Sequence, residues 1–284
     1  MKNKIVFFGS GDFTVPVVQK LLPHGLDLVV TNDKNPNSLL TSFCKQNNIL
    51  IIIASTASEL SSFNYQISNH SVAILASFGA IIPQSIIDGL PNGILNIHPS
   101  LLPKYKGPSP VQYALLNGET ITGVTVIKLD DKVDHGPILA QKPYQLTGNE
   151  TSEDLLSILF EFGADIIEEI VIKFENGKTV SQTPQDHSKE TWSYKLKKEN
   201  GYLDIMSPQF KIANLKFKIT NMVRAFYPWP GVWFTTNLKG QTKIVKLLPE
   251  NRIQVEGKNP MNYKDFINGF GEEGKLLLEK LGLN

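Results

Sequence analysis

Three polar side chains in one stretch of the chain, Asn96, His98 and Asp134, have the types and spacing of an acid–base site. The stretch runs from Leu95 to Gln141 and reads LNIHPSLLPKYKGPSPVQYALLNGETITGVTVIKLDDKVDHGPILAQ. Asn96 and His98 flank Ile97 on a short apolar run. On a strand, both polar side chains then share one face and Ile97 takes the other. Pro99 ends the run, which puts His98 at the carboxyl end of a strand. Open α/β sheets bind ligands there. Asp134 sits in a Gly-bounded turn, KVDHGPI, after a second apolar run, GVTVIKL. A carboxylate and an imidazole arriving from two strand ends suit proton transfer. An amide beside them suits a developing oxyanion. Taken singly, each residue has an ordinary reading: a solvated His, a loop-capping Asn, a turn-forming Asp. The string in which all three sit lifts them above it.

The elements that must position these residues alternate between strand and helix patterns. Lys4–Phe8 is a β-rich apolar run ended by Gly9-Ser10-Gly11, and Phe13–Leu22 follows with helical spacing. Strand, Gly turn and helix open a doubly wound sheet. The turn is a poor dinucleotide fingerprint. Thr14 stands where a third Gly would be and Asp33 is badly placed for a ribose, so NAD is not expected. Leu26–Val30 and Ile49–Ile53 read as strands, with a helix over Leu39–Asn47 between them and another over Leu60–Ile67. Ser71–Ser77 is nearly all apolar, as a buried parallel strand is.

The loop Pro99–Pro110 holds four prolines, which lower the entropy lost on ordering it. Its Lys104 and Lys106 are candidates to attract an anionic tail, or else solvated side chains. Val111–Leu116 reads as a helix. Thr120–Leu129 and Ile138–Pro143 read as strands flanking the Asp134 turn. Ser152–Gly177 is an amphipathic helix with Thr151 or Ser152 as its cap. Val180–Lys198 lacks periodicity and reads as a linker. Pro208–Ala225 has helical spacing, and Val232–Phe234, Thr242–Leu248 and Arg252–Val255 are short strands. The expected division is therefore 1–179, a linker 180–198, and a small β-rich domain 199–284. The segment RAFYPWPG, Arg224–Gly231, is expected to pack, with Trp229 and its prolines burying area.

With 284 residues and 41% apolar side chains there is material for two packed cores. No apolar run approaches the ~20 residues that cross a bilayer, so no membrane role is expected. The single cysteine, Cys44, can form no intrachain disulfide, as expected of a cytoplasmic protein, and the five histidines lack zinc spacing, so no metal is expected. Residues 1–195 carry 14 Lys+Arg against 19 Asp+Glu, while 196–284 carry 14 against 8. A net of −5 followed by +6 hints at a nucleic-acid-facing C-terminal part.

The string NIHPSLLPKYKGPSP, followed by TGVTV…D…DHGPIL, resembles the two signatures of the 10-formyltetrahydrofolate-dependent formyltransferases, in order and at the expected separation. The resemblance extends over nearly the whole chain and is strongest to the members that formylate methionyl-tRNA. It implies a Rossmann-like formyltransferase sheet, doubly wound and mostly parallel, followed by an OB-like domain. It implies formyl transfer from 10-formyltetrahydrofolate to the α-amine of initiator methionyl-tRNA, by a monomer, with Asn96, His98 and Asp134 as the catalytic set. It places the folate against Ser100, Leu101, Leu102 and Pro103, and the pterin beside Phe78 and Gly79. Two departures bear on the tRNA side. Only TNDKNPNS stands where the family carries a longer basic loop, and the C-terminal barrel is abbreviated, with room for about one strand between KIVKLLPE and GKNPMNY. An amino-sugar nucleotide is the alternative acceptor.

Overall fold

The computed structural model describes residues 4–206 and 215–283. By their contacts these fall into two compact units. The first comprises 1–110, 121–145 and 156–193, and the second 111–120, 146–155 and 194–284.

The first unit is built on a seven-stranded sheet. In chain order the strands are β1 (Ile5–Gly9), β2 (Leu26–Thr31), β3 (Leu50–Ile53), β4 (Val72–Ala76), β5 (Ile94–His98), β6 (Ile121–Lys128) and β7 (Ile138–Gln145), and they lie side by side as β3-β2-β1-β4-β5-β6-β7. The pairs from β3 to β5 are parallel, and β6 and β7 are antiparallel. β1 is central and every residue of it is buried. That is why its sequence is continuously apolar rather than alternating. From β1 the chain first winds one way to β2 and β3, then crosses to β4 on the other side. The reversal opens a crevice at the carboxyl ends of β1 and β4.

Helices α1 (Val15–Leu21), α2 (Leu39–Gln46), α3 (Ala57–Ser62), α4 (Asn64–Ser68), α5 (Gln84–Asp88), α6 (Pro110–Leu116) and α7 (Ser152–Glu175) connect or follow these strands. The sequence predicts one helix over Leu60–Ile67, but the chain breaks at Phe63. The Ser61 hydroxyl donates to the Ala57 carbonyl and that of Ser62 to Glu59. Such local bonds compete with a continuing helix. α7 is the longest and buries Leu159, Phe160, Ala164, Ile167 and Ile170. Its Gly163 lies against β5: a Cβ there would fall 2.4 Å from Cγ2 of Ile97. Ile97 is the residue between Asn96 and His98, so this helix backs the strand that carries both.

The second unit contains α8 (Leu215–Phe226), the strands β8 (Val232–Leu238), β9 (Gln241–Leu248), β10 (Arg252–Val255) and β11 (Met261–Asn262), and α9 (Tyr263–Leu281). The strands form an antiparallel meander in the order β11-β10-β9-β8. Phe234 opposite Val245 and Ile253 opposite Leu247 are among its buried pairs. Among the described residues this sheet has four strands. The first part of the helix expected over Pro208–Ala225 lies outside the described residues. The packing expected of Trp229 does not occur, since its side chain is 55% exposed. The segment is held by main chain instead: Gly231 N donates to Phe226 O, and the Ser152 hydroxyl to Tyr227 O. No described helix is long and apolar enough to cross a membrane.

Candidate active site

β5 delivers Asn96 and His98 as alternation requires, on one face and with His98 as its last residue. The β6–β7 connection brings Asp134 to them. Nδ2 of Asn96 donates to Oδ1 of Asp134 at 3.1 Å, and Gly107 N donates to Oδ2 at 2.8 Å. Nδ1 of His98 stands 3.6 Å from the same Oδ2. The other ring nitrogen, Nε2, donates to the Tyr105 carbonyl at 2.9 Å. A carbonyl only accepts, so Nε2 carries the proton and Nδ1 is the nitrogen left for chemistry. All three side chains are buried. In such a site charge interactions are stronger than in water and the groups need little reorganisation.

The proline-rich loop is pinned to the sheet by Thr125, which sits opposite His98 on β6. Its hydroxyl donates to Ser100 O at 2.6 Å and accepts from Leu102 N and from Gln141 Nε2. Gln141 also donates to Leu102 O. Ser100 is fully buried, and its hydroxyl donates to Lys104 O at 2.7 Å. Leu102 is buried as well, whereas Leu101 and Pro103 are half-buried. In the β4 loop the Phe78 side chain is core, packed edge-on against Phe8 with ring centroids 5.5 Å apart. Gly79 beside it is exposed, whereas Phe78 is buried with its main chain. Asn32 Nδ2 bonds the Phe78 carbonyl, and Ser10 donates to Asn32 Oδ1 at 2.5 Å.

Lys106 is neither a solvated side chain nor free to attract an anionic tail. It is 1% exposed, and its Nζ pairs with Glu190 at 2.6 Å and lies 3.2 Å from Nδ1 of His187. That bond holds the Glu190 carboxyl below its ordinary range. Burial, then the charges of His135 and Lys106, push the His187 imidazole down. His187 stacks flat on His135, with centroids 4.0 Å apart. Burial is the largest influence on Asp130 and opposes its ionisation, but the bonds from His135 and from Lys132 N, with the charges of those two residues, together outweigh it and lower that carboxyl.

Residues 180–193, polar and aperiodic in sequence, pack as part of the first unit. Thr183 exchanges two backbone bonds with Ile138, at 2.8 and 2.9 Å. Thr191 O accepts from Lys106 N, and its hydroxyl from Tyr105 N. Ser193 binds the Lys106 carbonyl and Ser109 N. Gln185 donates to the carbonyls of Asp134 and Gly136. The segment therefore grips both the loop bearing Asp134 and the loop whose Gly107 N–H binds it. Sequence reasoning missed Gly107, Thr125, Gln141 and Gln185 in these roles. Thr125 carries a weak signal, as a polar residue on a buried position of β6, whereas Gln141 lies on an exposed position of β7 and carries none. Gln185 carries none.

A buried imidazole and carboxylate with an amide donor alongside put the candidate site in the acid–base class. The comparisons narrow the class. The formyl transferase model matches residues 3–171 and the formyl transferase C-terminal domain model matches residues 195–253, and the chain belongs to this family. It is 34% identical to a methionyl-tRNA formyltransferase of Koribacter versatilis, over 94% of this chain and 95% of that one. The fold is shared with a 4-N formyltransferase from Francisella tularensis, at TM-score 0.68 and 16% identity over 88% of this chain and 98% of the other. It is also shared with an N-formyltransferase from Helicobacter canadensis in complex with folinic acid and dTDP-3-aminofucose, at TM-score 0.66 and 18% identity over 89% and 95%.

Proposed function

We propose that the chain transfers the formyl group of 10-formyltetrahydrofolate to the α-amine of initiator methionyl-tRNA, in the cytoplasm and as a monomer. The observation that carries the chemistry is the meeting of Asn96, His98 and Asp134 in one buried cluster. The acceptor rests on similarity to the Koribacter enzyme over almost the full length of both chains.

The neutral amine attacks the formyl carbon and leaves an oxyanion. Asn96 has a second N–H beyond the one given to Asp134, and it donates to that oxygen. His98, protonated on Nδ1 and steadied by Asp134, donates the other bond. Asp134 accepts the amine proton, directly or through a water, and a proton returns to the folate nitrogen as the C–N bond breaks. No residue forms a covalent bond to the formyl group. The half-buried Leu101 and Pro103 and the main chain of Gly79 face the folate, while Ser100, Leu102 and the buried Phe78 hold their loops in shape.

The test is purified protein with 10-formyltetrahydrofolate and charged initiator tRNA, followed by deacylation and detection of N-formylmethionine. Formylation that His98→Ala abolishes supports the reading. Folate consumed only when an amino-sugar nucleotide is supplied would move the acceptor and sink the tRNA assignment.

A further inference from the structure

We propose that Gln185 is a positioning residue for this reaction, clamping the backbone that carries Asp134 and so setting its carboxylate against His98. The inference rests on the acid–base role given above to Asp134.

Gln185 is 7% exposed and its Nε2 donates to two carbonyls of one turn, Asp134 O at 3.0 Å and Gly136 O at 2.8 Å. The amide can face only this way. Turned over, it would set Oε1 against two acceptors. Asp134 has φ of 48°, in the left-handed region that few non-glycine residues occupy and that Asp tolerates better than most. The turn is also folded hard onto the sheet, since a Cβ at Gly136 would lie 1.8 Å from Lys128 O. Gln185 is itself anchored two residues away, where Thr183 pairs both ways with Ile138 at the start of β7. The clamp is thus fixed to the strand that leaves the turn it holds.

Among the described residues Oε1 of Gln185 has no hydrogen-bond partner, so the hydrogen bonds of this side chain are the two it donates to the Asp134 turn. Without them the turn relaxes from its left-handed state, and the carboxylate shifts on Asn96 and Gly107. Misplacement by about 1 Å is enough to cost up to ~100-fold in rate.

The test is steady-state kinetics of the full-length chain carrying Gln185→Met, Gln185→Asn, Asp134→Asn, and Gln185→Met with Asp134→Asn. Met keeps the length and loses the donors; Asn keeps the donors and loses the reach. Both single Gln185 variants are expected to lower kcat about 10- to 100-fold. KM for the folate should stay within about threefold, and the acid limb of the kcat–pH profile should move. Because Gln185 acts through Asp134, adding Gln185→Met to Asp134→Asn should remove less than about threefold more. An inactive Asp134→Asn beside fully active Gln185 variants overturns the inference and leaves the site reading intact. An equal loss from Gln185→Met in both backgrounds, or failure of both single variants to fold by circular dichroism, overturns it too by making Gln185 a folding residue. A fully active Asp134→Asn overturns the site reading itself.

Discussion

Nδ1 of His98 lies 3.6 Å from Oδ2 of Asp134, while Nε2 of the same ring donates to the Tyr105 carbonyl at 2.9 Å. The ring is therefore tethered at one nitrogen and faces a carboxylate with the other. The gap is beyond hydrogen-bond length. Catalytic bonds commonly tighten only when substrate is in place. Asp134 does not wait unpartnered, because Asn96 and Gly107 already hold one oxygen each. A proton arriving at Nδ1 meets a carboxylate that is fixed in position, and the pair can carry that proton without rearranging the loop.

Asp134→Asn tests this directly. The new amide has one oxygen where the carboxylate has two, so either Asn96 Nδ2 or Gly107 N then faces a donor. Proton acceptance is lost as well. We expect kcat to fall about 10²- to 10⁴-fold, the usual contribution of a general acid–base group. The folate KM should change little, because Ser100 and Leu102 in the stretch proposed to face the folate are pinned by Thr125, while Asp134 holds that loop further on, at Gly107. A variant retaining more than a tenth of the wild-type kcat would exclude the role.

Gly163→Ala sets two effects of opposite sign against each other. In a helix interior, Ala is better than Gly by roughly 0.5–1 kcal/mol. Here the added Cβ would meet Ile97 Cγ2 at 2.4 Å. Overpacking of a close-packed contact costs about 1–3 kcal/mol. The clash wins, and urea unfolding should show net destabilisation. Since Ile97 lies between Asn96 and His98, kcat should drop with it. A variant as stable as wild type would mean that α7 can back away from β5 without penalty.

Trp229→Ala should leave stability within about 0.5 kcal/mol of wild type, the range for surface substitutions. The side chain is 55% exposed, and Phe226, three residues earlier, is the aromatic of this segment that is buried. Thermal unfolding of Trp229→Ala beside Phe226→Ala checks it. Equal losses in the two would return Trp229 to the core.

The strands were legible because their signals are local, and the candidate triad because its residues sit in two strings that resemble the family's signatures. Continuous apolar runs mark β1 and β4, and the alternation of Asn96 and His98 around Ile97 gives the face of β5. What escaped depends on partners far along the chain. Lys106 and Glu190 are 84 residues apart, and nothing near either one reveals that the lysine is buried. Gln185 lies in a stretch whose order comes from bridges to Ile138 and Lys106 rather than from a period of its own. α9 was masked by Gly269, Gly271 and Gly274, which argue against a helix. The backbone does leave helical geometry at Gly271, with φ of 60°. Leu277, Leu278 and Leu281, buried past the kink, carry the rest of it.

Glu190→Gln turns the Lys106 pair into a pH experiment. The bond from Lys106 lowers the Glu190 carboxyl in the folded protein relative to about 4.3 in the unfolded chain. A carboxylate with a depressed folded value stabilises the fold above its unfolded value. The contribution is lost as pH falls through the folded one. The variant should therefore unfold at a lower temperature than wild type at neutral pH. The difference should hold down to the ordinary carboxylate range and shrink below it, as wild-type Glu190 takes up its proton. Thermal midpoints of both proteins from pH 7 downward read this out. The opposite slope, a difference that grows on acidification, would mean that Lys106 relies on the neutral partners around it, His187 and the Trp192 ring, and not on the Glu190 charge.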